Sequence, residues 1–151
     1  MIFGIGTDAI EIARIEAAVT RHGERFVERI LGPRERAAHA WRAAQSRTRG
    51  TMYLATRFAG KEAIAKAIGL GMNAPMHWHA AEIVNADSGK PEVVADAGLG
   101  AFLAERGLRL HVSVSDSETL ALAYAVAEEV APRPLAGEGG GEGDCHGSAG
   151  R

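Results

Sequence analysis

The stretch RFAGKEAIAKAIGLG at residues 57–71 decides the fold, because it predicts a long helix that carries several charged side chains. From residue 49 to residue 68 the chain has no proline, and apolar residues recur at every third or fourth position, as on one face of a helix. Gly69 then supplies a residue type that commonly ends helices. The sequence therefore predicts a helix over 49–68 with one apolar face.

Four charged residues of this helix form two pairs at a spacing of four, Arg57 with Lys61 and Glu62 with Lys66. Like charges at that spacing are mildly destabilising, unless an anion lies between them. An acid that precedes a lysine has the favourable order for a surface salt bridge, which contributes only about 0.3–0.5 kcal/mol. The charges thus indicate either a bound anion or an ordinary solvated helix surface.

The second informative stretch is GIGTD at residues 4–8, inside an apolar segment that predicts a strand. Because successive strand residues point to opposite faces, Asp8 shares its face with Gly6 and Ile10. A carboxylate among such neighbours is costly unless it is paired or bound to a cation; an aspartate that forms a turn is the alternative. Magnesium takes one or two carboxylates together with substrate phosphates and water. An acid on a strand, an acid on a helix and several cations therefore indicate a metal-assisted phosphate site.

Three stretches carry a family resemblance in the correct order: GIGTDAIEIARI, RFAGKEAIAKAIGLG and HVSVSDSETLALAYAVAEE. With them the sequence resembles the holo-acyl-carrier-protein synthases, the small bacterial class of 4'-phosphopantetheinyl transferases. The resemblance covers nearly all of residues 1–131. It implies an α+β fold with an N-terminal strand, a long central helix and an antiparallel sheet, and an assembly of three identical chains.

The resemblance also implies an activity. The family transfers the 4'-phosphopantetheine group from coenzyme A to a serine of apo-acyl carrier protein, releases adenosine 3',5'-bisphosphate and supports fatty acid biosynthesis. Two other classes stay open. One is another metal-dependent nucleotide transferase or hydrolase with a different acceptor. The other is a non-catalytic module that binds carrier proteins and keeps the two acids for structural purposes.

The site residues that the resemblance implies fall into three groups. The magnesium ligands are Asp8 and Glu62, which with Lys66 form the catalytic set. Coenzyme A is expected to contact the positions Arg57, Lys61, Lys66, Gly69, Gly71, Ser115 and Asp116. Acyl carrier protein is expected to dock on Arg14, Arg21, Arg25 and Phe26.

Two positions depart from the family pattern. Asp116 stands where family members often have a histidine, and an aspartate cannot offer a phosphate a positive charge. It can still act as a base, accept a hydrogen bond from a ribose or hold a water. Leu70 replaces a frequent threonine between the two glycines, which removes a hydroxyl. Neither change touches the predicted metal ligands.

Composition and charge are consistent with this interpretation. The chain has 151 residues, of which 46% are hydrophobic, enough for one domain with a core. Residues 1–66 hold 12 Lys and Arg against 7 Asp and Glu. This excess predicts an acidic partner, as acyl carrier proteins are, and a solvated arginine-rich surface without a partner is the alternative. Nucleic acid is the rival partner, and the basic half has few aromatics to stack on bases, so we expect none.

The sequence predicts neither a membrane span nor a secretory leader, and a cytoplasmic location is expected. Cys145 is the single cysteine, so no internal disulfide can form. His77 and His79 flank a tryptophan and could meet one ion from a strand, but two histidines fall short of a zinc site. We therefore expect a packing role for them.

The remaining pattern predicts a domain over 1–131 and a disordered, glycine-rich tail over 132–151, because the tail has little to bury. The alanine-rich segment near 119–128 could be helical by composition, and the resemblance makes it a strand. The predicted helices besides 49–68 lie near 13–21, 23–31, 34–45 and 97–106. The predicted strands lie near 2–12, 80–86, 92–95, 108–115 and 119–128.

Overall fold

The computed structural model describes residues 1–130. The predicted tail and Cys145 lie outside the described residues. The described elements, in chain order, are β1 (Ile2–Glu11), α1 (Ile12–His22), α2 (Glu24–Ile30), α3 (Pro33–Gln45), α4 (Arg47–Ala67), β2 (Ala81–Asn85), β3 (Pro91–Ala95), α5 (Ala97–Glu105), β4 (Leu108–Asp116) and β5 (Leu120–Glu129). Each predicted element is present, with ends that differ by at most two residues.

The strands form two antiparallel sheets, so the predicted α+β class is confirmed. One sheet has three strands in the order β1-β5-β4, and the other is the β2-β3 hairpin. The last strand of the chain therefore lies in the centre of the larger sheet, between the first strand and β4. One face of this sheet packs against α4, which contacts β1, β4 and β5.

The alanine-rich segment is a strand, as predicted, and its packing explains its composition. Ala121, Ala123, Ala125 and Ala127 point to the same side of β5, and all four are buried. A small side chain at each of these positions lets α4 lie close to the central strand. Helix propensity is therefore overridden by a pairing partner on each side of β5.

The prediction of a single apolar face on α4 is wrong. Most of its 21 residues are buried, because α4 packs against the larger sheet on one side and against α1, α2, α3 and β2 on others. A helix that is surrounded by other elements must bury nearly its whole circumference. The charged residues in it are therefore placed by the core.

Two glycines let β1 cross α4 at short range. A Cβ on Gly4 would overlap the carbonyl oxygen of Ala67, and a Cβ on Gly6 would overlap that of Ala63. Glycine is used where a second backbone approaches this closely. The approach carries Asp8, two residues further along the same face, to the side of α4.

The opposite face of the larger sheet has no covering element among the described residues. Phe3, Ile5, Leu122 and Tyr124 lie on it, each between 45% and 55% exposed. A group of large apolar side chains in one exposed patch is typical of a protein interface. Among residues 1–130, no helix combines the length and the apolar character that a membrane span requires.

Candidate active site

The strand acid and a helix lysine meet where β1 crosses α4. The ammonium of Lys66 donates a hydrogen bond to Asp8 Oδ1 at 2.8 Å and another to the carbonyl oxygen of Thr7 at 2.8 Å. The side chain of Asp8 is 18% exposed and that of Lys66 is 49% exposed. The contact fixes the two groups relative to each other, and the half-exposed lysine stays accessible to an anion.

Glu62 lies beside this pair, one helical turn before Lys66. Burial raises the pKa of Glu62, the negative charge of Asp8 raises it further, and Lys66 opposes both effects. Two carboxylates that repel each other at a partly buried position are stabilised by a cation. The described residues contain no cluster of three or more His, Cys, Asp or Glu side chains. Two carboxylates fit magnesium, which completes its shell with phosphates and water.

The surface salt bridge between Glu62 and Lys66 that the spacing allows is not formed. In the part of the chain that the structure describes, the ion pair of Lys66 is with Asp8. The lysine thus links β1 to α4 and leaves the carboxylate of Glu62 without a salt bridge in residues 1–130.

The chain turns sharply directly after Lys66. Gly69 has a φ of +77° and Gly71 a φ of +58°, a backbone conformation that residues other than glycine rarely adopt. The amides of Leu70 and Gly71 both donate to the carbonyl oxygen of Ala65. Gly69 and Gly71, both predicted coenzyme A contacts, therefore shape the loop next to Lys66.

A cavity of about 450 Å³ opens beside Asp8 and Lys66. Its wall includes the hydroxyl-bearing side chains of Ser113, Ser115 and Tyr124 on the uncovered face of the sheet. The structure therefore brings Ser115, a predicted coenzyme A contact, to the same cavity as the strand acid and the helix lysine. We call this space the acid–lysine cavity.

A second cavity of about 450 Å³ lies on another side of α4. We call it the arginine cavity, because Arg42, Arg49 and Arg57 all line it. Asp116 lines it as well. In residues 1–130 none of the three guanidinium groups forms an ion pair with a carboxylate. Several unneutralised guanidiniums around one cavity suit a phosphate ligand.

Arg57 is the most constrained of these arginines, at 3% exposure. Its Nε donates to the carbonyl oxygen of Ile83 at 2.9 Å, and another nitrogen donates to the Oδ1 of Asn85. Its guanidinium carbon lies 4.1 Å from the ring centroid of Tyr53. Arg57 therefore gives the cavity wall a positive charge at a fixed position.

The two cavities face different sides of the molecule for a geometric reason. Arg57 and Lys66 are nine residues apart, which is two and a half helical turns, so they point to opposite sides of α4 about 13.5 Å apart along its axis. Ser115 and Asp116 are neighbours on β4 and point to opposite faces of the sheet. Four of the predicted coenzyme A contacts are thus divided between two places in one chain, Lys66 and Ser115 at the acid–lysine cavity and Arg57 and Asp116 at the arginine cavity.

Lys61, another predicted coenzyme A contact, lies in neither cavity. Its ammonium is fully buried and contacts Glu35 Oε2 at 2.6 Å, the carbonyl oxygen of Ile30 at 2.6 Å and that of Trp78 at 2.5 Å. Burial lowers the pKa of Lys61 and raises that of Glu35, and each charge opposes the shift of the other. The three acceptors use all three donors of the ammonium, so the anion beside Lys61 is the carboxylate of Glu35.

The predicted docking residues are at the surface but on two helices. Arg14 and Arg21 lie on α1, seven residues apart and exposed, while Arg25 is exposed on α2 beyond the break at Gly23. Phe26 is half-buried and packs against the core. None of the three arginines forms an ion pair within residues 1–130, which leaves their charges available to a partner.

The two histidines flanking Trp78 have separate hydrogen-bond partners. His77 Nε2 lies 3.1 Å from Asp96 Oδ2, and His79 Nε2 lies 2.7 Å from the carbonyl oxygen of Glu28. Each ring is therefore used to hold a loop, which agrees with the packing role expected from the sequence.

Sequence reasoning missed Arg42 and Arg49 as candidates for the site. The available signal was the concentration of arginines at 42, 47 and 49, just before and at the start of the long helix. Arg49 lies eight residues before Arg57 on α4, close enough for both to reach one cavity. Arg42 is brought there by the packing of α3 on α4, which spacing within one helix cannot reveal.

Comparison with known proteins identifies the class to which this fold and site belong. Residues 4–125 match the model of the 4'-phosphopantetheinyl transferase superfamily, and the chain therefore belongs to that superfamily. The holo-acyl-carrier-protein synthase of Cupriavidus taiwanensis is 55% identical over 128 residues, which cover 85% of this chain and 91% of the relative. That of Herminiimonas arsenicoxydans is 54% identical over 129 residues, covering 85% and 99%. Within the superfamily the chain is thus a member of the holo-acyl-carrier-protein synthases.

Solved structures agree with this placement. The crystal structure of the holo-acyl-carrier-protein synthase from Neisseria meningitidis has a TM-score of 0.78 at 39% identity, covering 85% of this chain and 99% of that one. The enzyme from Bacillus anthracis, solved in complex with coenzyme A (3',5'-ADP), has a TM-score of 0.71 at 35% identity, covering 86% and 99%.

Proposed function

We propose that this chain transfers the 4'-phosphopantetheine group from coenzyme A to a serine hydroxyl of apo-acyl carrier protein. The observation that carries the proposal is the contact between Asp8 and Lys66 at 2.8 Å, with Glu62 beside it, in a chain of this family. The serine oxygen forms a bond to the β-phosphorus of coenzyme A. The bond from that phosphorus to the bridging oxygen breaks, the serine loses its proton, and adenosine 3',5'-bisphosphate leaves.

Asp8 and Glu62 are the residues that would hold magnesium. Bound there, magnesium would act as a Lewis acid on the pyrophosphate and stabilise charge on the leaving phosphate. Burial raises the pKa of Glu62 and the charge of Asp8 raises it further, and a cation bound between the two carboxylates would offset both effects. Lys66 is half-exposed and can exchange its contact with Asp8 for a phosphate oxygen, where its charge is most valuable as negative charge develops.

The proton of the serine needs an acceptor. The candidates are a water next to the metal, Glu62 and Asp116. Within one chain Glu62 lies beside the Asp8–Lys66 pair, whereas Asp116 lines the arginine cavity. Asp116 can serve only in a site that two chains share. No serine of this chain acts as the nucleophile, because the hydroxyl belongs to the carrier protein.

The active site is assembled between subunits of a homotrimer. The pyrophosphate of coenzyme A needs a metal site, and its nucleotide phosphates need a basic site. A single α4 places these two sites on opposite sides of the helix. A neighbouring copy can place its arginine cavity beside the acid–lysine cavity of the first. The uncovered apolar face of the sheet, with Phe3, Ile5, Leu122 and Tyr124, supplies the contact surface.

Acyl carrier protein would dock on Arg14 and Arg21 of α1, with Arg25 and Phe26 of α2 at the end of the surface. These arginines are exposed and α1 runs directly from β1, so the docked partner lies at the same strand that carries Asp8. Cations that face an acidic partner mainly accelerate its encounter. The cytoplasmic location remains a prediction from the sequence.

The proposed reaction is tested by incubating the protein with coenzyme A, magnesium and apo-acyl carrier protein and weighing the carrier protein by mass spectrometry. A gain of one phosphopantetheine group, together with formation of adenosine 3',5'-bisphosphate, is expected. The gain should disappear when magnesium is chelated. Hydrolysis of coenzyme A without modification of the carrier would favour a hydrolase, and binding without either product would favour a non-catalytic module.

A subunit-mixing experiment tests the shared site. Asp8→Asn removes a ligand at the acid–lysine cavity, and Arg49→Glu reverses an exposed charge at the arginine cavity. We expect each variant alone to be nearly inactive. Mixed trimers contain some sites with both intact halves, so unfolding and refolding the two variants together should restore activity. Activity no higher than the sum of the separate variants, with mixed trimers present, would confine the site to one chain.

A further inference from the structure

Trp41 has an unusual position for a large aromatic residue. Its side chain lies on α3 and is 64% exposed, at the wall of the arginine cavity. An exposed tryptophan alone needs no explanation. This one lines the same cavity as three guanidinium groups that lack carboxylate partners in residues 1–130, so a flat π surface and cations suited to phosphate share one space.

From this arrangement we infer that Trp41 stacks on the purine base of coenzyme A. The inference rests on the proposed function, in which the arginine cavity receives the nucleotide end of coenzyme A. Every nucleobase offers a flat π face, and aromatic side chains bind bases through it. The arginines would hold the phosphates while the tryptophan holds the base.

The cavity has a second aromatic residue, Tyr53, but its ring cannot accept a base. The guanidinium carbon of Arg42 lies 4.5 Å from the Tyr53 ring centroid, and that of Arg57 lies 4.1 Å from it. The ring is only 6% exposed. Tyr53 is therefore occupied in positioning the two arginines, and Trp41 is the aromatic side chain of this cavity with an accessible surface.

Arg42 also connects the two rings. Its guanidinium carbon lies 5.7 Å from the ring centroid of Trp41, within the range of a cation–π contact. Its Nη1 donates to the carbonyl oxygen of Ala38 at 3.3 Å. Arg42 therefore contacts Trp41 on one side, while most of the Trp41 surface stays exposed.

Calorimetry with two ligands separates base stacking from phosphate binding. Adenosine 3',5'-bisphosphate carries the base, and ribose 3,5-bisphosphate carries the same phosphates without it. We expect Trp41→Ala to raise the dissociation constant for the nucleotide about tenfold and to leave that for the sugar bisphosphate unchanged. Trp41→Phe should retain most of the affinity, because it keeps a π face. The matched control, Arg49→Gln, should weaken both ligands alike.

Fluorescence gives an independent measurement. The chain has two tryptophans, and Trp78 packs against Phe58 with ring centroids 4.9 Å apart. In a Trp78→Phe variant that retains transfer activity, Trp41 is the single source of tryptophan emission. We expect the nucleotide to quench this emission, and the sugar bisphosphate to leave it unchanged.

The outcomes distinguish this inference from the proposed function. Phosphopantetheine transfer with no effect of Trp41→Ala on nucleotide affinity would overturn the role of Trp41 alone. Base-dependent quenching without transfer would support Trp41 and overturn the proposed function. Emission that changes when the chains assemble and does not respond to the nucleotide would assign Trp41 to a subunit contact and overturn the inference.

Discussion

Two lysines of α4, only five residues apart, are used in opposite ways. Lys61 has a fully buried ammonium that contacts Glu35 and two carbonyl oxygens. Lys66 is half-exposed and contacts one carboxylate and one carbonyl oxygen at the edge of β1. The first cation has all its hydrogen-bond capacity committed to the protein, since an ammonium has three donors. The second can give up a contact to a ligand.

The difference shows that the partner, rather than the residue type, decides whether a lysine serves the fold or the chemistry. Glu35 also accepts hydrogen bonds from the amides of Gly32 and Ile83, so Lys61 joins the start of α3, the end of α2 and the β2 strand to α4. Lys66 joins only β1 to α4. Substitutions at Lys61 should therefore lower stability, whereas substitutions at Lys66 should lower turnover.

The largest effect is expected on the buried side. Lys61→Met leaves the carboxylate of Glu35 buried without its cation, and breaking a buried ion pair in this way costs about 3–5 kcal/mol of unfolding free energy. Lys66→Met is the matched control, and it should lose less than about 1 kcal/mol of unfolding free energy. Chemical denaturation of Lys61→Met and Lys66→Met measures both changes.

Restoring neutrality sharpens the same test. A double variant with Lys61→Met and Glu35→Leu removes both buried charges and should recover much of the lost stability, because an apolar replacement of a buried pair is often neutral or stabilising. Equal losses from Lys61→Met and Lys66→Met would contradict the division between a structural and a functional lysine.

The next effect concerns the accessible side. We expect Asp8→Asn, Glu62→Gln and Lys66→Met each to reduce turnover about a hundredfold or more, the size typical of removing one group that stabilises a transition state. The asparagine and glutamine variants change charge and little volume, so their thermal midpoints should remain near that of the unaltered protein. Near-normal turnover of either one at limiting magnesium would remove that residue from the metal site.

The arrangement of Asp8, Glu62 and Lys66 and the ends of the elements could be predicted from local sequence. The position of Asp8 on the inner face of β1 follows from strand alternation, and the adjacency of Glu62 and Lys66 follows from helical spacing. The ends of the elements follow from glycine and proline positions, as at Gly32-Pro33 before α3. These inferences depend on neighbours within a few residues, where the backbone geometry fixes the outcome.

The burial of Lys61 could not be predicted in that way. Its partner Glu35 is 26 residues earlier in the chain, and only the packing of α3 and β2 on α4 brings them together. The arginine cavity has the same origin, because Arg42 and Asp116 reach it from α3 and β4. Contacts between distant segments depend on the whole core, and periodicity within one helix contains no information about them.

A smaller effect is expected where β1 crosses α4. A Cβ on Gly6 would overlap the carbonyl oxygen of Ala63, so Gly6→Ala must push the strand away from the helix, at a cost of about 1–3 kcal/mol. Because the shift separates Asp8 from Lys66, turnover should fall even at temperatures where the variant is folded. Gly100→Ala, at an open position on α5, is the control. Full turnover in folded Gly6→Ala would show that the site tolerates a wider spacing.

The smallest effect is expected from cations that are exposed and outside both cavities. Arg14 and Arg21 lie seven residues apart on α1, so they share one side of the helix. We expect Arg14→Glu with Arg21→Glu to raise the Michaelis constant for acyl carrier protein about tenfold and to weaken its salt dependence, since exposed charges act mainly on association. The Michaelis constant for coenzyme A should change little. Arg106→Glu, at an exposed position outside α1 and both cavities, is compared with each single variant as a control for charge reversal elsewhere on the surface. If the double variant instead raises the Michaelis constant for coenzyme A and leaves that for the carrier protein unchanged, α1 belongs to the nucleotide site. The contrast between buried Lys61 and half-exposed Lys66 would then stand, but α1 would not be the docking surface.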